Sequence, residues 1–116
     1  PAPTGAKVQH LQSVELVVAE ALNNIVEHAL RDEPDSKIQL SMNKANNAVE
    51  FHICDPGAPM PNGRLPLGVL PTIGDDVASY PEGGFGWGLI RLLTHDLKYE
   101  RAPGENRLTF RLELSE

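Results

Sequence analysis

The stretch "PEGGFGWGLIRLL", residues 81–93, places four glycines within six positions and runs directly into an apolar helical pattern. Each glycine in regular structure is less favourable than alanine by roughly 0.5 to 1 kcal/mol, so the cluster needs a compensating interaction. Glycine-rich backbone at a helix N-terminus presents free amides at the positive end of the helix dipole and lets an anion approach closely. The stretch therefore predicts an anion site that leads into a short helix over "LIRLLTH".

Other glycine-rich patterns fit this stretch less well. A flexible glycine linker usually carries serine and does not continue into a helix. A P-loop would need a Gly-Lys-Ser/Thr sequence after the glycines, and a dinucleotide fingerprint would need a strand at the right distance before them. The sequence has neither pattern here. An anion-binding helix start is therefore the favoured interpretation.

The composition describes a small acidic protein. Its 116 residues suit one domain. Hydrophobic residues make up 41% of the chain and aromatic residues only 5%, which predicts an aliphatic core. The net charge of −6 argues against a broad nucleic-acid interface, which needs a basic surface to release counterions from phosphates. The sequence predicts no membrane span, and its single cysteine, Cys54, suits a reducing compartment. We therefore expect a cytoplasmic protein that binds neither a membrane nor nucleic acid directly.

The hydrophobic pattern predicts the order of the elements. Apolar residues three or four apart indicate an amphipathic helix from about Val8 to Arg31, which Pro34 ends. Alternating apolar residues indicate two β-hairpins, one over "KIQLSMN" and "AVEFHIC" and one over "LKYERA" and "RLTFRLEL". A loop of about 30 residues from Asp55 to Gly84 and the short helix after the glycines separate the hairpins. These elements predict a two-layer α+β sandwich with helices on one face of the sheet.

Polar side chains within the long helix form the first candidate site. Glu20, Asn24 and His28 follow one another at intervals of four, which places them along one stripe of the helix. Such a stripe is often a solvated face. Apolar residues surround this one, so the second interpretation is that the polar side chains lie in a groove. There Glu20 could act as a base or order a water, and the amide oxygen of Asn24 could ligate Mg²⁺.

The second candidate site is "ICDPGAP", residues 53–59. Asp55 follows three alternating apolar positions at the end of a predicted core strand, and Gly57 lies in the turn that comes next. Asp, Pro and Gly all favour turns, so an ordinary strand-ending turn is one interpretation. The other interpretation is a ligand site, because a carboxylate at the mouth of a sheet can accept a hydrogen bond from an exocyclic amine such as that of adenine.

These motifs, in this order, resemble the ATPase family shared by DNA gyrase, the heat-shock chaperones, bacterial histidine kinases and mismatch-repair proteins. "EALNNIVEH" looks like the N box of that family, "DPGAP" like its first glycine box and "GGFGWGL" like its second. The tail is most similar to the branch of small anti-sigma factor serine kinases. The resemblance runs from Val14 to Leu114.

The resemblance also implies an architecture. It suggests a single histidine-kinase-like ATPase domain over residues 1–116, with a mixed or antiparallel sheet and a long ATP lid at about residues 58–83. The sequence departs from the family at Pro59, where the first glycine box usually has its second glycine. It also leaves no room for the family's N-terminal strand and helix, which we expect to be absent.

The resemblance assigns roles to particular residues. Glu20 would be the base that activates the attacking hydroxyl, and Asn24 would ligate Mg²⁺. Asp55 would accept a hydrogen bond from the adenine amine, and Gly57 would let the adenine approach. The phosphates would be held by the second glycine box and one amide, namely Gly84, Gly86, Gly88 and the amide of Leu89.

The function implied by the resemblance is that of an ATP- and Mg²⁺-dependent protein-serine kinase. It would bind a sigma factor, phosphorylate a serine on an anti-sigma factor antagonist, and possess a surface for homodimerisation. An alternative of another class is a catalytically silent ATP-binding module that regulates by partner capture alone. The catalytic domain of a histidine kinase is a third alternative, but 116 residues leave no space for its phosphorylated helix pair. We expect Arg91 on the surface and Trp87 close to the phosphates.

Overall fold

The computed structural model describes residues 5–33, 35–68 and 84–114. In this part of the chain, two α-helices, a π-helical turn, a 3-10 turn and four strands follow the predicted order of helix, hairpin, loop, helix and hairpin. Their bounds are α1 (Gly5–Asn24), the π turn (Ile25–Ala29), β1 (Gln39–Ala45), β2 (Ala48–Asp55), the 3-10 turn (Pro61–Gly63), α2 (Gly84–Leu93), β3 (His95–Ala102) and β4 (Glu105–Glu113).

The four strands form one sheet in the order β1-β2-β4-β3, and every described pair is antiparallel. Both predicted hairpins are present. The first closes through a two-residue turn in which Asn46 has a φ of 56°. The second closes at Gly104, whose φ is 76°. Left-handed backbone at these positions explains why asparagine and glycine occupy them.

The core lies between one face of the sheet and the two helices. Phe51 of β2 and Phe110 of β4 stand directly opposite each other, with ring centroids 5.2 Å apart. Each is 1% exposed, and burial of such a side chain contributes about 1.5 to 3 kcal/mol. The helices contribute Val17, Ala21 and Trp87 to the same cluster. The predicted two-layer α+β sandwich is therefore confirmed, with a fully antiparallel sheet in the described strands.

The edge strand β1 is less covered than its sequence pattern suggests. Leu40 and Met42 pair with Ile53 and Phe51, so they point to the helix side of the sheet. They are nevertheless 44% and 61% exposed, because the buried cluster is built on the two inner strands. The alternation predicted the strand correctly but not the burial of its apolar side chains.

The first helix changes geometry before its predicted end. The sequence predicts one helix to about Arg31, whereas α-helical geometry ends at Asn24 and the π turn follows. The amide of Leu30 donates to the carbonyl of Ile25 at 2.9 Å and closes this turn. Such π turns are frequent at functional sites because they re-aim the residues around them. Ala29, the last residue of this turn, contacts the loop after β2, where it accepts a hydrogen bond from the amide of Ala58.

The second helix begins earlier than the sequence predicts. The pattern places it over "LIRLLTH", but α2 begins at Gly84, includes Gly86 and Gly88, and ends at Leu93. Helix propensity is a weak prior that packing overrides, and both internal glycines are buried. The predicted start is therefore wrong, because the glycine-rich stretch is the first part of the helix itself. In the described part of the chain, none of the helices has the length and apolarity that crossing a membrane requires.

Candidate functional site

Three of the predicted site residues meet where α1 lies against α2. An ideal β-carbon placed on Gly86 would lie 2.6 Å from Oε2 of Glu20 and 3.6 Å from Nδ2 of Asn24. A real carbon atom does not approach an oxygen this closely without displacing it. Glycine at position 86 is therefore what lets the Glu20 carboxylate occupy its place between the helices. Glu20 is half-buried and Asn24 is buried. The interpretation of these two residues as part of a solvated face is therefore wrong.

Asn24 carries a polar atom without a partner. The side chain is 4% exposed, and its Nδ2 makes no hydrogen bond to any residue that the structure describes. An unsatisfied buried polar group costs about 1 to 3 kcal/mol, which a bound ligand would offset. Rotation of the amide exchanges its oxygen and nitrogen, so the same position can present either a donor or an acceptor. The residue thus fits a ligand-binding role, including that of an oxygen ligand to Mg²⁺.

A metal site at Asn24 would depend on more than protein ligands. The described residues include no group of three His, Cys, Asp or Glu side chains placed to hold a metal ion. Mg²⁺ usually keeps several waters and is held by one or two protein oxygens together with substrate phosphates. One buried amide beside a phosphate site is compatible with that type of coordination.

Asp55 lies at the end of β2 and is 4% exposed. Its Oδ1 accepts a hydrogen bond from the amide of Gly57 at 2.8 Å and one from Nδ2 of Asn106 at 3.0 Å. These bonds stabilise a buried carboxylate, and they hold the turn after β2 in one conformation. Asp55 is therefore both part of a turn and a wall residue of a cavity.

The turn after β2 packs on the π turn without any space between them. A β-carbon on Gly57 would lie 2.3 Å from the carbonyl oxygen of Ala29, and the amide of Ala58 donates to that same oxygen at 2.9 Å. Because the obstructing atoms are backbone, they cannot move aside as a flexible side chain could. Gly57 is thus required for the backbone approach of these two segments, whatever it does for a ligand.

A cavity of about 170 Å³ opens between the π turn, the loop after β2 and the sheet. Pockets for drug-sized ligands usually measure about 300 to 1,000 Å³, so this cavity suits one ring system rather than a whole nucleotide. His28 also borders it, although its side chain is exposed. Other lining residues are Asn24, Asp55, Met60, Trp87, Tyr99 and Asn106.

The start of α2 supplies backbone donors. The first amides of an α-helix have no intrahelical acceptor, and α2 begins at Gly84. Gly86 and Gly88 are the third and fifth helical residues. Leu89 is the sixth, and in α-helical geometry its amide donates to the carbonyl of Phe85. The free donors of this helix therefore belong to its first turn.

The family of histidine kinase-like ATPase domains matches residues 2–112, which is almost the whole chain. The chain belongs to this family. The predicted resemblance and fold class are thereby confirmed. The described strands and helices agree with the two-layer arrangement that the resemblance implied.

Three bacterial relatives of this histidine kinase-like ATPase domain carry kinase names. The serine/threonine-protein kinase BtrW of Bordetella bronchiseptica is 33% identical over 84% of this chain and 66% of its own length. The serine-protein kinase RsbW of Oceanobacillus iheyensis is 27% identical over 86% of this chain and 64% of its own length. The serine-protein kinase RsbW of Listeria innocua is 26% identical over 81% of this chain and 60% of its own length. The matched region thus spans less than two thirds of each relative.

Sequence reasoning missed two side chains that border the cavity of this ATPase domain. Asn106 is 5% exposed and bonded to Asp55, and the hydroxyl of Tyr99 donates to Asn106. The sequence pattern left Asn106 in the turn between the predicted strands "LKYERA" and "RLTFRLEL". The local sequence carried no signal for this contact, because the register that sets Asn106 opposite Asp55 joins β2 and β4, which are distant in sequence.

Arg91 has a structural partner that the sequence did not indicate. Its Nε donates to the carbonyl of Pro66 at 2.9 Å, and its Nη2 donates to the carbonyl of Leu65 at 3.2 Å. The side chain is exposed, as expected, but it ties α2 to the described part of the long loop. Most of the predicted lid, residues 69–83, lies outside the described residues.

Proposed function

We propose that this histidine kinase-like ATPase domain binds ATP with Mg²⁺ and transfers the γ-phosphate to a serine of a partner protein. One observation carries the proposal: Glu20 and Asn24 lie together against the glycine-rich start of α2, beside the cavity that Asp55 lines. Phosphoryl transfer depends mainly on positioning and charge neutralisation, so a base, a metal ligand and free amides form a sufficient set. The kinase names of the relatives support it.

The adenine base would occupy the cavity at the end of β2. Asp55 would accept a hydrogen bond from the exocyclic amine, since a carboxylate is an acceptor and this one lines the cavity. Because Gly57 has no side chain, the loop after β2 would leave room for the adenine ring to enter the cavity. The cavity of about 170 Å³ would hold the base alone, so the triphosphate would extend toward α2.

The phosphates would lie at the N-terminus of α2. Gly84 and Gly86 belong to its first turn, where free amides and the helix dipole favour an anion. Gly88 would let the phosphates approach the helix backbone closely, because it carries no side chain. We do not assign a phosphate contact to the amide of Leu89, because in α-helical geometry that amide donates within α2. Bound Mg²⁺, held by Asn24, would neutralise part of the phosphate charge.

Glu20 would act as the general base. Its carboxylate would accept the proton of the serine hydroxyl as the serine oxygen forms a bond to the γ-phosphorus. The bond from that phosphorus to the bridging oxygen would break, and ADP would leave with the electron pair. A positioned base of this type typically contributes a factor of about 10² to 10⁴ in rate.

The remaining expectations complete the proposal. We propose one domain over residues 1–116 with a lid at about 58–83, in a cytoplasmic regulator of transcription. Its partners would be a sigma factor and an anti-sigma factor antagonist, with a second copy of the chain as a possible homodimer partner. The serine-kinase names of the relatives support the class of reaction, and the motif order supports the branch.

The experiment that tests this function combines binding with transfer. The single tryptophan, Trp87, is 3% exposed and lines the cavity, so its fluorescence should report MgATP binding. Phosphate transfer from labelled ATP to an antagonist protein would be followed in parallel. Glu20→Gln should lower transfer at least a hundredfold while leaving the dissociation constant for MgATP within about twofold. Glu15→Gln is the matched control, because Glu15 is exposed on the same helix.

The outcomes separate the two classes of function. If Glu20→Gln abolishes transfer and retains binding, the kinase is supported. If the wild-type protein binds MgATP and never transfers phosphate, the alternative of a silent ATP-binding module replaces the kinase. If the wild-type protein binds no nucleotide, both proposals fail.

A further inference from the structure

Three side chains of the β3–β4 hairpin, Tyr99, Arg101 and Asn106, form one hydrogen-bonded group, which we call the hairpin clamp. Asn106 is its centre and stands opposite Asp55 in the β2–β4 register. Its Nδ2 donates to Oδ1 of Asp55 at 3.0 Å and to the carbonyl of Ala58 at 2.8 Å. Its Oδ1 accepts from the hydroxyl of Tyr99 and from Nη1 of Arg101.

The amide of Asn106 has no capacity left for a ligand. An asparagine side chain offers two hydrogens and two acceptor lone pairs, and the contacts to Asp55, Ala58, Tyr99 and Arg101 use all four. Asn106 is also 5% exposed. It is therefore suited to orient other groups rather than to contact a nucleotide base itself.

The hairpin clamp holds the backbone of the loop that follows Asp55. Nη1 of Arg101 donates to the carbonyl of Gly57 at 2.7 Å. The amide of Met60 donates to the hydroxyl of Tyr99 at 3.0 Å, and the Tyr99 hydroxyl in turn donates to Asn106. These bonds run in one direction, from Met60 through Tyr99 to Asn106 and on to Asp55. If the Asn106 amide were reversed, its NH₂ group would face the two donors, Tyr99 and Arg101. These hydrogen bonds therefore set the orientation of the Asn106 amide.

These contacts determine which oxygen of the Asp55 carboxylate is engaged by the protein. Both hydrogen bonds that it receives from described residues, from Gly57 and Asn106, end on Oδ1. Its Oδ2 receives none from the described part of the chain, while the residue lines the cavity. The carboxylate is thus held by one oxygen and presents the other as an acceptor.

We infer that the hairpin clamp is a set of positioning residues that aims Asp55 at the exocyclic amine of a purine and so sets the preference for an amine-bearing base. The inference rests on the proposed function, because it requires that the nucleotide base occupies the cavity. It adds a specificity role for Tyr99, Arg101 and Asn106, which act through Asp55. Tyr99 and Asn106 also border the cavity, but the hydrogen bonds of the clamp occupy their polar atoms.

The test compares two nucleotides that differ only in the amine. Dissociation constants for ATP and for purine riboside triphosphate, which has hydrogen in place of the amine, would be measured by Trp87 fluorescence. The wild-type protein should prefer ATP. Tyr99→Phe removes one hydroxyl from the clamp, and Arg101→Gln removes the bond to Gly57. Each should reduce the preference about threefold to tenfold, in line with the loss of one hydrogen bond.

A matched control uses the same hairpin. Arg107 bonds to Glu105 on the surface, away from the clamp, so Arg107→Gln should keep the wild-type preference. A clamp that is only structural would weaken both nucleotides equally and leave the preference unchanged, which overturns the inference. If the wild-type protein binds ATP but shows no preference for the amine, the inference also fails while the proposed function stands. If it binds neither nucleotide, the proposed function fails first.

Discussion

Gly86 of α2 lies against Glu20 of α1 so closely that a β-carbon at Gly86 would stand 2.6 Å from the Glu20 carboxylate. A glycine of the second glycine box therefore has a role in the protein itself, independent of any bound phosphate. It gives the proposed base its place between the helices. This relationship separates two effects that the sequence pattern combines, namely the positioning of the base and the binding of phosphate.

The first prediction concerns Gly86→Ala. The added methyl group would displace the carboxylate of Glu20, because that carboxylate is the flexible end of a side chain and moves more easily than the helix backbone. We expect phosphate transfer to fall at least tenfold, with kcat affected more than the dissociation constant for MgATP. The measurement is steady-state transfer together with Trp87 fluorescence. In a Glu20→Gln background the same substitution should cause no further loss, and a further tenfold loss there would show that Gly86 acts independently of Glu20.

The second prediction concerns Gly57→Ala. A β-carbon there would lie 2.3 Å from the Ala29 carbonyl oxygen, and backbone cannot yield without shifting the loop or the π turn. We expect the free energy of unfolding to fall by about 1 to 3 kcal/mol, the usual range for overpacking. Urea denaturation followed by Trp87 fluorescence would measure it. Ala58→Ser enlarges the neighbouring exposed residue and should leave stability nearly unchanged. Equal midpoints for Gly57→Ala and wild type would contradict the contact.

The third prediction concerns Asn24. The variant Asn24→Ala should remove the Mg²⁺ dependence of ATP binding and weaken MgATP at least tenfold, because the buried amide is the proposed ligand. Affinity for ATP without Mg²⁺ should change little. Fluorescence titrations with and without the metal would decide it. Asn23→Ala, on the exposed side of the same helix, should behave like wild type. A variant Asn24→Ala that keeps full Mg²⁺ dependence would remove this residue from the metal site.

The fourth prediction concerns Arg91. Its guanidinium donates to the carbonyls of Leu65 and Pro66 and so ties this part of the long loop to α2. Arg91→Gln should increase amide hydrogen exchange in residues 64–68 several-fold, because the loop loses the hydrogen bonds that hold it to α2. Exchange in β2 and β4 should stay the same. Arg64→Gln, in the same loop, is the control, and equal exchange in both variants would show that Arg91 does not hold the loop.

Much of the fold could be predicted because its signals are local. Alternation of apolar residues marked β2 and β4, and the four-residue spacing of Glu20 and Asn24 placed both on one side of α1. Local patterns were insufficient where packing decides. The start of α2 at Gly84 depends on contact with α1, and the exposure of Met42 depends on how far the helices reach over the sheet.

By itself, the sequence determined the order of the elements, the family and the set of candidate residues, because periodicity and short motifs are written along the chain. Only the tertiary structure decided which of those residues meet. Gly86 touches Glu20, and Asn106 is bonded to Asp55 although 51 positions separate them along the chain. Such contacts follow from helix packing and strand register, which involve segments distant in sequence and leave no mark on the residues next to either partner.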